Sequence, residues 1–242
     1  MFPILEVNTH PNTRVYACDF SETAVELVKQ HPEYVKSEEG SNENIGKRCE
    51  AFVCDITKEQ DWEANAPFGE NSLGIKYFCL SSNIIKKDFS FILDIGTNIK
   101  AIKLIFSDAI TLLFVMSALD PTNGSMILAV KSLYKYLKPG GMIFFRDYGR
   151  YDLAQLRLKP GKCLSDNFYA RGDGTFCYFF TEEDIIDLFV TKGGFELISP
   201  GSVNGIAEEP KVKVDRRLQV NRGKKLKMYR VWMQAKLKKP IL

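Results

Sequence analysis

Histidine is scarce in this chain of 242 residues, which holds only His10 and His31. A Ser-His-Asp or Cys-His system needs a base beside its nucleophile, so neither is expected. The six cysteines are scattered and contain no Cys-x-x-Cys pair. They read as buried free thiols in a reducing compartment, and no metal is expected. A Gly-rich phosphate loop followed by lysine is also missing. The segment SFILDIGTN, Ser90 to Asn98, runs from a strand-like stretch into a turn, but it has one glycine where a dinucleotide fingerprint needs several. No basic-then-apolar leader is visible, and the most apolar region, Phe89 to Leu119, is broken by Asp94, Lys100, Lys103 and Asp108. The chain therefore reads as soluble and intracellular with no membrane partner, cytoplasmic with a mitochondrial address left open.

What is present is enough apolar material, 45%, for a sizeable core in a single domain over residues 1–242. Charge is unevenly spread. From Lys211 to Leu242 twelve Lys or Arg face one acid, Asp215; that segment carries +11 of a whole-chain +3, leaving −8 for the first 210 residues. A basic end on an acidic body suits a polyanion, although a solvated strand and tail would carry the same charges.

Apolar periodicity alternates between strand and helix. A strand is predicted at Arg14 to Cys18, then a cap at Ser21 and a helix with an apolar stripe of Ala24, Val25, Leu27 and Val28. CEAFVCDIT repeats an apolar strand closing on an aspartate, and ITLLFVMSALDP reads as a central strand at Thr111 to Ser117. SMILAVKSLYKYLKPGG is a helix stopped by Pro-Gly-Gly and MIFFRDYG the next strand. FTEEDIIDLFVTKGGFELIS is a helix capped at Thr181 leading to a strand, and KMYRVWMQAKL alternates as an edge strand would. Between Phe68 and Thr111 the pattern assigns no element. The sum is an α/β chain with a doubly wound, mostly parallel sheet, whose ligands lie at the carboxyl ends of the strands. Asp19, Asp55 and the cluster FFRDYGRYD fall at such ends. An acid there can accept from ribose hydroxyls or an adenine amine; it can equally cap a helix or a turn.

One resemblance is specific. LKPGGMIFFRDYGRYDLAQLRLKPGKCLSDNFYARGDGTFCYFFT, with CDFS, FVCDIT, FVMSALDP and VDRRLQVNRGKKLKMYRVW, resembles the methyltransferase-like family that makes 3-methylcytidine in tRNA anticodon loops. The likeness implies a seven-strand, Rossmann-like S-adenosylmethionine-dependent fold, with S-adenosylmethionine as cofactor and tRNA as partner; a protein that delivers the tRNA is left open. It implies Asp19, Phe20, Asp55, Ile56 and Leu113 around the cofactor. Arg146, Asp147 and Tyr148 take the catalytic positions. Arg150, Tyr151, Arg171, Asp173, Arg216, Arg217 and Arg222 face the substrate and RNA.

Against that family pattern the chain departs at three places. It opens where the family's first strand and glycine turn would already have passed, and so reads as truncated at the N-terminus. Residues 69–110 read as an insertion, and Phe176 stands where the family has arginine after GDGT. The alternative reading is a catalytically inactive variant that retains an RNA-binding surface. A missing first strand would leave a gap beside Arg14–Cys18 and Thr111–Ser117, since central strands with unpaired backbone are costly. Phe89 to Ile95 is the predicted replacement.

Overall fold

A computed structural model describes residues 14–39, 48–70, 76–81, 109–199, 202–203, 206–207, 209, 211–221 and 226–241. Its centre is a sheet whose first five strands are parallel. β1 (Arg14–Asp19) pairs with β2 (Cys49–Val53) on one side and with β3 (Lys76–Ser81) on the other. β3 in turn pairs with β4 (Ala109–Leu113), and β4 with β5 (Met142–Tyr148). β4 and β5 are near-continuous apolar runs because both faces are covered.

Three small strands, β6 (Cys163–Ser165), β7 (Phe168–Ala170) and β8 (Phe176–Tyr178), form a separate antiparallel sheet after β5. The chain then returns through β9 (Glu196–Leu197), the hairpin of β10 (Ser202–Val203) and β11 (Ile206–Ala207), and the long ribbon of β12 (Lys213–Asn221) and β13 (Leu226–Lys238). β13 runs antiparallel to both β5 and β12, and β9 adds a short pairing at its end. The order is β12-β13-β5-β4-β3-β1-β2, a doubly wound and mostly parallel sheet as expected.

Helices follow the expected caps. α1 (Glu22–Lys29) starts where Ser21 Oγ accepts from Ala24 N at 3.3 Å, and it buries Val25 and Val28 against β1 and β2. Leu27, expected in the same stripe, is exposed. α2 (Pro32–Glu39) and α3 (Glu59–Asn65) flank β2. α4 (Ser125–Tyr136) gives way to extended backbone at Leu137, before Pro139 is reached, and Lys239 Nζ donates to the Leu137 carbonyl at 2.8 Å. α5 (Leu153–Leu156) is a single turn. α6 (Glu182–Ile185) opens on a capping box between Thr181 and Asp184, then widens into a π-helix over Ile186–Thr191. The main core lies between the sheet and α4 and α6, around Phe145, Leu133, Phe180, Phe189 and Phe195. No helix among the described residues is long and apolar enough to cross a membrane.

Three expectations are corrected. The strand expected at Thr111–Ser117 is Ala109–Leu113, because Phe114 takes a left-handed φ of 58° and the chain turns into a 3-10 helix over Met116–Ala118. KMYRVWMQAKL is no edge strand; β13 is paired on both sides and β12 forms the edge. A strand does stand between β1 and β4, but it is Lys76–Ser81, out of the segment to which the pattern assigned no element. Phe89–Ile95 lies outside the described residues.

Candidate active site at the carboxyl edge of the sheet

The parallel pairing of β1 and β2 sets Asp19 level with Val53, and Cys54 N donates to the Asp19 carbonyl at 2.9 Å. Asp19 and Asp55 thus stand on adjacent βα turns at one edge. Their surroundings differ. Asp19 Oδ1 accepts from Ser21 N at 2.9 Å, and partial burial pushes its pKa up, partly offset by the N–H groups of Ser21 and Phe20. Phe20 beside it is 76% exposed. Asp55 works as a turn residue as well: Oδ1 accepts from Thr57 N at 3.0 Å and Thr57 Oγ1 at 2.7 Å, and Lys58 Nζ is 3.2 Å from Oδ2. Burial alone would raise its pKa, but these bonds outweigh it and hold the carboxyl below its usual range. Ile56 is buried, and its carbonyl accepts from Trp62 Nε1 at 3.3 Å. Leu113, half-buried, ends β4 opposite Arg146 and Ser81.

At the end of β5 the expected cluster divides. Arg146 and Asp147 are successive strand residues and meet different partners. Arg146 is buried, 4.2 Å from the Trp232 ring centroid and 3.5 Å from Asp215 Oδ2. These contacts brace β5 against β12 and β13. Asp147 is 0% exposed. Its Oδ2 accepts from Ser117 N at 3.0 Å and its Oδ1 from Tyr148 N at 2.9 Å, and burial pushes its pKa up to about 6.

Tyr148 gathers the rest. Phe114 packs 4.7 Å from its ring, and the guanidinium groups of Arg171 and Arg230 lie 5.0 and 5.3 Å from its centroid. Burial raises its phenol's pKa. Arg150 is exposed and lies over the ring of Tyr151, which is 66% exposed and held at a φ of 66°. Asp173 closes the exposed turn after β7 by accepting from Thr175 N and Oγ1 at 3.1 and 2.7 Å. Arg216 and Arg217 sit on edge strand β12; Arg217 Nε reaches Asp215 Oδ1 at 2.9 Å, and Arg222 lies outside the described residues.

Sequence reasoning passed over Ser117, Asp152 and Arg230, although FVMSALDP, RDYGRYD and KMYRVW contain them. Asp152 is fully buried, and the polar surroundings that explain this come from β13, 78 residues away. Cys18, Cys49, Cys54 and Cys177 are buried free thiols, and Cys163 is exposed. Among the described residues no group of three or more His, Cys, Asp or Glu is arranged to hold a metal ion.

Parallel strands with acids at one carboxyl edge, and an antiparallel ribbon closing the sheet, define the Rossmann-like fold of S-adenosylmethionine-dependent methyltransferases. A solved methyltransferase of that class from Methanosarcina mazei shares the fold over 100% of this chain and 99% of its own, with a TM-score of 0.52 at 12% identity. No protein-family model matches. By sequence the chain is homologous to the tRNA N(3)-cytidine methyltransferases. It is 43% identical over 242 residues to METTL2B of Homo sapiens, covering 100% of this chain and 48% of that protein. Against METTL2 of Xenopus tropicalis it is 42% identical over 240 residues, covering 99% and 53%. Against trm140 of Schizosaccharomyces pombe it is 37% identical over 239 residues, covering 99% and 57%. The chain spans about half the length of the curated relatives it matches.

Proposed function

We propose that the protein transfers a methyl group from S-adenosylmethionine to N3 of a cytidine in a tRNA anticodon loop. The observation that carries this reading is homology, over nearly the whole chain, to proteins named for that reaction. The adenosine half of the cofactor fits the residues present: Asp19, half-buried at the end of β1, suits the ribose hydroxyls, Asp55 the adenine amine and exposed Phe20 an apolar ring face. Bound S-adenosylmethionine supplies a methyl group activated by its sulfonium charge.

The acceptor's chemistry explains why two histidines suffice. N3 of cytosine takes the methyl group with its own lone pair, no proton leaves, and the product base is cationic. Alignment and a nearby anion meet that need. Asp147 is that anion, held by Ser117 N and Tyr148 N, and it accepts from the exocyclic amine of the base. N3 lies on the pairing edge, so the base must leave its stack; Tyr148 and Tyr151 offer ring faces to receive it. The Lys and Arg of the C-terminal segment meet the phosphates. A tRNA-delivering partner and a cytoplasmic location belong to the same proposal.

A second reading is favoured by β3. After this strand in the middle of the sheet the sequence reads Ser82-Asn83-Ile84, without the glycines at which a backbone meets a cofactor. On that reading the chain binds RNA and transfers nothing. Incubation with tRNA and millimolar S-adenosylmethionine, followed by nucleoside mass spectrometry, separates the two: 3-methylcytidine should accumulate with the wild-type chain and be lost with Asp147→Ala. RNA binding without any 3-methylcytidine would leave the second reading standing.

A further inference from the structure

The backbone that follows β5 is pinned amide by amide. Gly149 N donates to the Val231 carbonyl at 2.8 Å, Arg150 N to the Phe180 carbonyl at 2.8 Å and Asp152 N to the Gly149 carbonyl at 3.3 Å. Tyr151 N, between them, goes to a side chain instead: it donates to Gln155 Oε1 at 2.7 Å. Gln155 is 7% exposed, and a buried amide needs partners at both its ends. The second partner is Asn167 Oδ1, which accepts from Gln155 Nε2 at 3.2 Å. One glutamine thus joins two residues in the left-handed region, Tyr151 at a φ of 66° and Asn167 at 60°.

Asparagine enters that region readily. Tyrosine does not, and it stays there only where its surroundings over-determine it. The ring held in this way is 66% exposed, with the Arg150 guanidinium 5.1 Å from its centroid. The Tyr148 ring, by contrast, is already packed by Phe114, Arg171 and Arg230 at 4.7, 5.0 and 5.3 Å.

We infer that Gln155 is a positioning residue for base recognition: by holding Tyr151 N it fixes the left-handed turn that presents the Tyr151 ring to an unpaired base of the RNA. The inference rests on the tRNA reading above. A ring already in place when the base arrives avoids the cost of ordering it at that moment. Gln155 can serve because it is itself anchored at both ends of the relay. It sits in α5, capped by the buried Asp152, and Leu158 N donates to its carbonyl at 3.0 Å. Asn167, in the β6–β7 turn, accepts at its carbonyl from Phe179 N at 2.9 Å. The hold therefore runs from that turn through Gln155 to Tyr151.

The role belongs to one atom, Oε1, which separates positioning from packing. Gln155→Glu keeps an acceptor for Tyr151 N, whereas Gln155→Met keeps the length of the side chain and loses the acceptor. The first measurement is amide hydrogen exchange read residue by residue by NMR. Val231 N, which donates to Asp152 Oδ2 at 2.9 Å, is the control for local folding. In Gln155→Met the Tyr151 amide should exchange about tenfold faster than in the wild-type chain with Val231 unchanged, and in Gln155→Glu both should match the wild type. If Gln155→Met also frees Val231 it has lost the local fold, and Gln155→Ala takes its place.

The second measurement is anisotropy with two RNA hairpins, one whose loop carries a single cytidine among abasic sites and one whose loop is abasic throughout. The wild-type chain should prefer the cytidine hairpin about tenfold, the worth of one stacked base. Tyr151→Ala and Gln155→Met should each cut that preference to less than about twofold, and Gln155→Glu should restore it, while affinity for the fully abasic hairpin stays the same in all four. A Tyr151 amide still protected in Gln155→Met overturns the hold. A freed amide with the cytidine preference intact, or a preference that survives Tyr151→Ala, overturns the presentation of the ring. A wild-type chain that binds neither hairpin counts against the tRNA reading, and exchange at Tyr151 still decides whether Gln155 fixes the turn.

Discussion

Arg230 of β13 reaches across to Asp152 with one nitrogen, Nε lying 2.8 Å from Oδ2 and 3.0 Å from Oδ1 of a carboxylate that is 0% exposed. Val231 N and Ala154 N complete its shell at 2.9 and 2.7 Å, so one side chain caps α5 and ties the loop after β5 to the next strand. The tie also fixes the arginine that lies against both Tyr148 and Trp232.

A buried charge is tolerated only with its partners, so the losses from removing the two partners should not add. Asp152→Ala should lower unfolding free energy by about 3–5 kcal/mol, and the double variant with Arg230→Ala should lose clearly less than the two single losses added. Urea unfolding of the four proteins measures this. Strict additivity would mean the two residues act independently.

Asp147 makes stability depend on pH. Burial lifts its pKa from 3.8 to about 6, so between these values the folded chain keeps a proton that the unfolded chain has lost. Stability from this carboxyl is therefore greatest at low pH and falls as pH rises through about 6. Asp147→Asn has nothing to ionise. Relative to wild type it should gain on the order of 3 kcal/mol between pH 4 and 7, whatever its constant loss of hydrogen bonds. Unfolding curves across that range test this, and a constant difference would show that the carboxyl ionises freely. On the role proposed for Asp147, methyl transfer should rise through the same interval.

Local signals in the sequence carried much of this architecture. Ser21 and Thr181 cap as their spacing required, and the apolar run at Met142–Phe145 is a buried strand. Asp19 and Asp55 share an edge because consecutive parallel βα units open the same way. What was illegible is non-local. Lys76–Ser81 has no distinctive alternation, and its central place is set by backbone pairing with β1 and β4. The alternation of β13 suits an edge as well as an inner strand, and only its partners decide between them.

The same alternation separates two arginines expected to act together. Arg216 pairs in register with Val231 and Arg217 with Arg230, which turns them to opposite faces of β12. Arg217 bonds to Asp215; Arg216 is exposed on the face that also carries Leu218, Val220 and Tyr229. Arg216→Glu should weaken binding of a tRNA anticodon arm and reduce the slope of log affinity against log salt by about 1. Arg217→Gln should leave that slope unchanged. Anisotropy titrations at several salt concentrations distinguish them, and equal effects would mean that both faces meet phosphate.

The last prediction concerns how tightly this chain holds S-adenosylmethionine. Asp19 and Asp55 are the residues proposed for the adenosine half; for the methionine half, the sequence after β3 reads Ser82-Asn83-Ile84, outside the described residues. Backbone that comes against a ligand favours residues without a Cβ, and this stretch of sequence has no glycine. Binding should therefore rest on the adenosine contacts alone, with a dissociation constant weaker than about 100 µM by titration calorimetry. Asp19→Ala should weaken it about tenfold further, the loss of one charge-assisted hydrogen-bonding group. Adenosine itself should bind nearly as well as S-adenosylmethionine, because the two share the half that fits. A micromolar constant for S-adenosylmethionine, or a large preference for it over adenosine, would show that the methionine half is gripped without those glycines.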